Sequence, residues 1–126
     1  MIQQQSILKV SDNSGAKTAK CIKVIGGFNK KSAKLGDIVV VSVQKLRNKA
    51  KITSKVKKGE VYKALIIRTR AKHKNKDGIA VNFKDNAISL INKSGKPIST
   101  RIVGPIPKFF KVKKFMKFAN LSSGFI

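Results

Sequence analysis

The chain has 126 residues, 41% of them hydrophobic, and its 29 Lys and Arg residues against five Asp and Glu residues give a formal net charge of +24. This length suits one domain with a hydrophobic core and excludes two domains of ordinary size. The longest apolar run, residues 38–43, is too short to span a membrane, and the single cysteine excludes an internal disulfide and a cysteine-rich metal site.

Polar residues alternate with β-branched residues along most of the chain, and this period of two predicts short strands. In chain order the predicted strands are residues 6–10, 18–25, 37–44, 61–69, 79–83 and 87–92. Turn-forming residues separate them, and Lys84-Asp85-Asn86 is interpreted as a tight hairpin between the last two. Short strands without a long helix usually close on themselves, so we predict a mainly β fold with a small barrel.

The C-terminal part differs from the strand region. Pro105 and Pro107 interrupt strand pairing, and Phe115, Phe118 and Ala119 follow at the i, i+3, i+4 spacing of an amphipathic helix. We therefore predict a short helix within residues 113–121. The expected organisation is a single domain, 1–126, with the barrel at about 1–103 and a C-terminal loop and helix region at about 104–126.

The positive charge indicates the class of partner. A surface with so much charge of one sign repels itself, so the composition favours a polyanion, with nucleic acid first. Half of the net charge lies in residues 45–76, in two basic segments, 45–58 (KLRNKAKITSKVKK) and 68–76 (RTRAKHKNK). If residues 61–69 form a strand, these segments lie at its opposite ends, about 25 Å apart.

We expect the two basic segments and the N-terminal hairpin to bind phosphates of folded RNA. The aromatic residues do not follow the pattern of a base-stacking platform, so recognition of backbone and shape is favoured over recognition of bases. The candidate RNA-binding residues are Lys17, Lys20, Lys30, Lys31, Arg47, Lys49, Lys51, Arg68, Arg70, Lys72 and Lys74.

Few residues are suited to catalysis, which needs a positioned acid, base or nucleophile with a partner. His73 is the only histidine, and its basic surroundings favour an RNA-facing loop. Cys21 lies in an alternating run and is expected to be a small buried side chain. The five acids fall in turns, where capping explains them better than catalysis or metal binding. We expect no cofactor, no metal and no enzymatic activity.

Two alternatives remain open at the level of sequence. A nucleic-acid chaperone of the OB or cold-shock type would need stacking aromatics on one strand face. An enzyme would have to use His73 or Cys21, and substitution of either would abolish its activity.

Several segments resemble the bacterial type of the universal large-subunit ribosomal protein L-fourteen, in order and over nearly the whole chain. They are MIQ at 1–3, VSDNSGA at 10–16, CIKV at 21–24, GDIV at 36–39, KKGEV at 57–61, KALIIRT at 63–69, DG at 77–78, TRIVGP at 100–105 and KFMK at 114–117. The chain departs from the family pattern in a longer loop at 47–55, in Ser89 where an apolar residue is usual, and in its tail at 122–126.

The resemblance implies a five-stranded β-barrel with a C-terminal loop and short α-helices, bound to large-subunit rRNA at the face that meets the small subunit. It implies ribosomal proteins L-nineteen and L-three as neighbours, and contact with small-subunit rRNA at an intersubunit bridge. It also implies that a ribosome silencing factor can dock near Thr100, Arg101 and Lys117.

The abundance of Lys, Ile and Asn indicates AT-rich coding, and no targeting leader is visible in the sequence. Both observations favour an organelle-encoded protein of the mitochondrial ribosome, with a plastid or the bacterial cytoplasm as the alternatives.

Overall fold

The computed structural model describes residues 1–47 and 54–126. Its strands are β1 (Ile7–Val10), β2 (Ala16–Val24), β3 (Ile38–Leu46), β4 (Val61–Arg68), β5 (His73–Lys74), β6 (Ala80–Val81) and β7 (Ala87–Ile91). Two 3₁₀ turns, Lys108–Phe110 and Lys113–Phe115, precede one short helix, α1 (Met116–Ala119).

Five of the strands form a closed barrel in the order β1-β2-β3-β4-β7. Neighbouring strands pair antiparallel except at the closure, where β1 and β7 run parallel. The expectation of a mainly β protein with a five-stranded barrel is therefore confirmed.

Strand β2 shows how the barrel closes. Its register against β3 shifts between Cys21 and Lys23, and Ile22 and Lys23 are both exposed at this irregularity. An extra residue in one strand bends it and increases its twist, which a small barrel needs. On either side of the bulge the side chains alternate, so that Ala19, Cys21 and Val24 are buried.

Strand β7 and residues 64–67 of β4 are buried on both faces. Ile66 and Ile88 belong to the core inside the barrel, whereas Leu65 and Ile91 belong to a second apolar cluster on its outside. The C-terminal segment supplies the other side of this second cluster, and its Phe110 is completely buried. The C-terminal segment therefore forms a second hydrophobic layer over β4 and β7. Full burial of one side chain such as Phe110 contributes about 1.5–3 kcal/mol to the stability of the fold.

Isolated bridges between Ile102 and Ser122, and between Ile106 and Phe125, hold the C-terminal segment together. The predicted helix within 113–121 is shorter than expected, because a 3₁₀ turn occupies its first residues and only Met116–Ala119 is α-helical. Its pattern is nevertheless correct, since Phe115, Phe118 and Ala119 are all buried.

Two other strand predictions were wrong. The segment Lys84-Asp85-Asn86 does not join a hairpin, because β6 pairs with β5 while β7 pairs with β1 and β4. The second basic segment, 68–76, is by sequence a basic loop or an extended hairpin, and it contains β5, whose His73 and Lys74 pair with Val81 and Ala80 in a separate two-stranded sheet. The predicted strand at 79–83 is reduced to two residues by the same pairing.

Candidate nucleic-acid interface

Acidic residues neutralise few of the cations. Only two ion pairs occur among residues 1–47 and 54–126, Lys30–Asp37 at 2.8 Å and Lys9–Asp85 at 3.2 Å. Asp37 also accepts a hydrogen bond from the backbone N–H of Lys34. These two carboxylates stabilise turns, and the other described Lys and Arg side chains have no acidic partner within ion-pair distance.

The remaining acids do not change this balance. Asp12 is completely buried and accepts hydrogen bonds from two backbone N–H groups. Glu60 accepts a hydrogen bond from the phenol of Tyr62, which is the largest cause of its lowered pKa. Asp77 is exposed in the turn between β5 and β6. Most of the acids are therefore used within the fold, and the surface stays strongly positive.

A first group of cations lies on strands β1 to β3. Lys9, Lys17 and Arg47 line one open cleft of about 540 Å³. Arg47 is held there by its guanidinium, which donates a hydrogen bond to the carbonyl oxygen of Val10 at 3.2 Å. Lys20 lies further along β2 and pairs in register with Ile7 and Ser42 of the flanking strands. We call Lys9, Lys17, Lys20 and Arg47 the strand group.

A second group lies around the hairpin of β5 and β6. Lys34, Lys72, His73 and Lys74 line an open cleft of about 450 Å³. The His73 ring packs against Phe109 with the ring centroids 5.4 Å apart. Arg70 is exposed nearby, and its backbone N–H donates to the Asn86 side chain at 2.9 Å. We call Lys34, Arg70, Lys72 and Lys74 the hairpin group.

Arg68 is placed differently from the other candidates. Its guanidinium donates a hydrogen bond to the hydroxyl of Ser11 and packs so closely against Gly104 that a Cβ there would collide with it. Burial lowers the pKa of Arg68, and the charge of Asp85 opposes this shift. Since part of its guanidinium is used inside the fold, Arg68 connects the end of β4 to the β1–β2 turn and has fewer N–H groups left for a ligand.

Lys30 and Lys31 lie in the loop between β2 and β3, next to the N-terminal residues. Lys49 and Lys51 lie outside the described residues. Lys9 and Lys34 were not among the candidates predicted from the sequence. Lys9 could have been included, because it occupies an outward-facing position in the alternating strand β1.

Thr100 and Arg101 are exposed beside the C-terminal helix. The side chain of Asn13 accepts hydrogen bonds from the backbone N–H groups of both residues, at 3.0 and 3.2 Å. The backbone N–H of Ile102 then bonds to Leu121 at 3.0 Å, just beyond α1, which carries the exposed Lys117. The structure thus places Thr100 and Arg101 alongside the end of the helix that carries Lys117.

Cys21 is buried, as predicted, and burial raises the pKa of its thiol. A reactive thiolate needs the opposite shift. In the part of the chain that the structure describes, no three His, Cys, Asp or Glu side chains are grouped to hold a metal ion. Nor is any described helix long and apolar enough to cross a membrane.

The fold and surface define a class: a small basic β-barrel protein in which most of the acids are used within the fold and most of the described cations are exposed. The family model described as Ribosomal protein L14p/L23e matches residues 1–126, the whole chain. The chain therefore belongs to this family of ribosomal proteins, as its resemblance to L-fourteen implied. The proteins of this family are structural components of ribosomes. The chain is therefore a structural constituent of the large ribosomal subunit and associates with rRNA and other ribosomal proteins.

Proposed function

We propose that the protein binds large-subunit rRNA directly, through phosphate contacts made by the strand group, the hairpin group and the lysines at residues 30, 31, 49 and 51. The observation that carries this proposal is the small number of ion pairs, two among the described residues; these involve Lys9 and Lys30, and the other described candidates have no acidic partner. Cations without acidic partners repel one another, and RNA phosphates remove that repulsion while counterions are released.

The barrel determines where these contacts are made. The strand group lies on and directly after β1 to β3, and the hairpin group lies around the β5–β6 hairpin. The two groups adjoin at Asn86, because its backbone carbonyl accepts a hydrogen bond from Lys9 and its side chain accepts one from Arg70. A rigid barrel keeps the cations of both groups in fixed relative positions, so that they can engage the phosphates of one folded RNA together. The function is therefore architectural, since the protein fixes the relative position of rRNA segments.

We further propose that Thr100, Arg101 and Lys117 belong to the surface that faces the small subunit. Their shared location beside α1 supports one contact surface for small-subunit rRNA at an intersubunit bridge, or for a ribosome silencing factor. Ribosomal proteins L-nineteen and L-three are the proposed neighbours on the remaining surfaces. These assignments rest on the resemblance to the L-fourteen family.

For the compartment we propose a mitochondrial ribosome, because the Lys, Ile and Asn bias is typical of AT-rich organelle coding. A plastid and the bacterial cytoplasm are the alternatives. The genes that flank this one in its genome would decide among the three.

The phosphate mechanism is tested by the salt dependence of binding to isolated large-subunit rRNA. If six to ten phosphates are engaged, the affinity should fall by roughly 10³- to 10⁵-fold between about 50 and 200 mM salt. A flat response would contradict the mechanism. Sedimentation of the assembled large subunit through a high-salt gradient provides a second measurement. A constituent that is also held by neighbouring proteins should stay with the subunit, whereas a nucleic-acid chaperone in rapid exchange should be released.

A further inference from the structure

A polar cleft of about 440 Å³ lies between the N-terminal turn and the loop that joins β2 to β3. Its lining consists of four amide side chains and two lysines. The lining residues are Gln3, Gln4, Gln5, Asn29, Lys30 and Lys31. Amides that both donate and accept hydrogen bonds are the side chains that recognise the edges of nucleobases.

The two walls of the cleft are tied together. Ile2 and Ala33 exchange both of their backbone hydrogen bonds, at 3.1 and 2.6 Å. The Cβ of Lys30 lies 3.6 Å from the position that a Cβ on Gly27 would take. The ammonium group of Lys30 forms an ion pair with the carboxylate of Asp37 at 2.8 Å. The bridge therefore joins the loop to the N-terminal turn, and the ion pair joins the loop to the start of β3.

The backbone is strained at this cleft. Gln5 and Asn29, with φ of 73° and 55°, are the two non-glycine residues with positive φ in the described ranges 1–47 and 54–126. Such conformations are unfavourable for L-residues and persist only where the surrounding structure imposes them. Both residues line the cleft, so the strain is concentrated where the amides converge.

Phe28 directly precedes Asn29, and its side chain is 97% exposed. Phe28 does not line the cleft itself, but it is the exposed aromatic residue next in sequence to the lining residues Asn29, Lys30 and Lys31. Aromatic residues combined with cations bind single-stranded nucleic acid, because bases stack on the ring while the cations contact the backbone. This arrangement could not be recognised from the sequence, because it has a single aromatic residue and its amides come from two separate segments, the N-terminal turn and the loop between β2 and β3.

We infer that the cleft and Phe28 bind one unpaired base of a single-stranded rRNA segment, with the base stacked on Phe28 and its edge facing the amides. This inference rests on the proposed rRNA binding and adds base contact to it. Charge favours RNA over a protein partner, because the cleft is lined by two lysines and no acidic residue, and Asp37, which contacts it through Lys30, is already paired. Lys31 is exposed beside the cleft and has no acidic partner to release before it contacts a phosphate.

Ultraviolet crosslinking of the full chain bound to large-subunit rRNA tests the inference directly. After digestion with nuclease and trypsin, we expect a nucleotide adduct on Phe28 in the peptide of residues 24–30 (VIGGFNK). Adducts that occur only elsewhere in the chain would overturn the inference, as would a crosslink from residue 28 to another ribosomal protein in the intact large subunit.

Affinity measurements provide the second test. Phe28→Leu keeps an apolar side chain but removes the aromatic face, so binding to rRNA should weaken roughly 5- to 150-fold, whereas Phe28→Tyr should bind like the unmodified chain. Asn29→Gly removes one amide and accepts the positive φ without strain, so binding should weaken while folding is retained. Equal affinity of all three variants would overturn the inference.

The two proposals fail in different ways. Loss of the stacking face should leave the slope of affinity against salt unchanged, because no phosphate contact is removed. If rRNA affinity falls steeply with salt but Phe28→Leu does not weaken binding, only the proposed base site is contradicted. If the rRNA affinity of the unmodified chain does not change with salt, the phosphate mechanism itself is contradicted, regardless of the results with the variants.

Discussion

The carboxylate of Asp12 and the backbone N–H of Leu90 form a buried hydrogen bond of 2.9 Å across a separation of 78 residues. The other carboxylate oxygen accepts hydrogen bonds from the backbone N–H and the hydroxyl of Ser14. One side chain therefore caps the turn after β1 and attaches it to β7.

Replacement of Asp12 should destabilise the barrel strongly. Asp12→Ala leaves three buried donors without an acceptor, so the free energy of unfolding should fall by roughly 3 kcal/mol or more in urea titrations. Asp12→Asn keeps the shape but sets an N–H₂ group against a donor, and its effect should be smaller. If Asp12→Ala unfolded within 1 kcal/mol of the unmodified protein, the buried bond would have no structural role.

Removal of the Ser89 hydroxyl should have the opposite effect. The side chain of Ser89 is completely buried opposite Leu65 in the pairing of β7 with β4, and its Oγ has no hydrogen-bond partner. Ser89→Ala should therefore leave the stability unchanged or raise it by about 1 kcal/mol. Ser11→Ala is the matched control, because its hydroxyl accepts a hydrogen bond from Arg68 and its loss should be destabilising. Urea unfolding of both variants compares them, and a clear loss of stability in Ser89→Ala would contradict the prediction.

Tyr62 gives a direct spectroscopic measurement, because it is the only tyrosine and the chain has no tryptophan. Burial, followed by the hydrogen bond to Glu60 and its charge, raises the pKa of the phenol from 10.0 to about 12. Absorbance of the phenolate should therefore rise around pH 12. Glu60→Gln should move this midpoint downward, and an unchanged midpoint would show that the pair does not form.

The same shift has a consequence for stability. A raised pKa in the folded state means that the fold favours the neutral phenol. This stabilisation is complete below about pH 10, the ordinary pKa, and is lost as the pH rises through about 12. Tyr62→Phe should remove this part of the pH dependence, and unfolding at several pH values would detect it.

The strand group can be tested by removing charge without removing fold contacts. If Lys17 and Lys20 each contact one phosphate, the double change of Lys17→Gln and Lys20→Gln should lower the salt slope of rRNA binding by about 1.8. The same two-charge change at Lys93 and Lys96, exposed in the turn after β7, controls for net charge alone. Equal slopes for the two variants would remove the strand group from the interface.

The barrel could be predicted because strands with one buried face alternate in sequence, as β2 and β3 do. For residues 68–76 the sequence left a loop and an extended hairpin open, because His73 and Lys74 have no apolar alternation and become a strand only through their pairing with residues 80 and 81. The helix was predicted too long because the spacing of Phe115, Phe118 and Ala119 indicates only that these side chains are buried on one face. A 3₁₀ turn that leads into a short α-helix buries the same side chains.

The candidate interface was predictable as a charge distribution but not residue by residue. Lys17 and Arg47 line the strand cleft, whereas Arg68 turns toward Ser11, a partner 57 residues away that no local pattern indicates. The cleft beside Phe28 also depends on long-range structure, since Ile2 and Ala33 must pair before the N-terminal amides face the loop.

The parallel closure of the barrel by β1 and β7 has a kinetic consequence during synthesis. Lys9 and Val10 find their partners only after Ala87 and Ile88 have been made, so an emerging chain keeps an unpaired edge on β1 until most of it has been translated. Closing so long a loop is entropically costly, and folds with such distant contacts form slowly. Assembly onto a particle should therefore follow the completion of the polypeptide, and chaperones that shield strand edges would act on the nascent form.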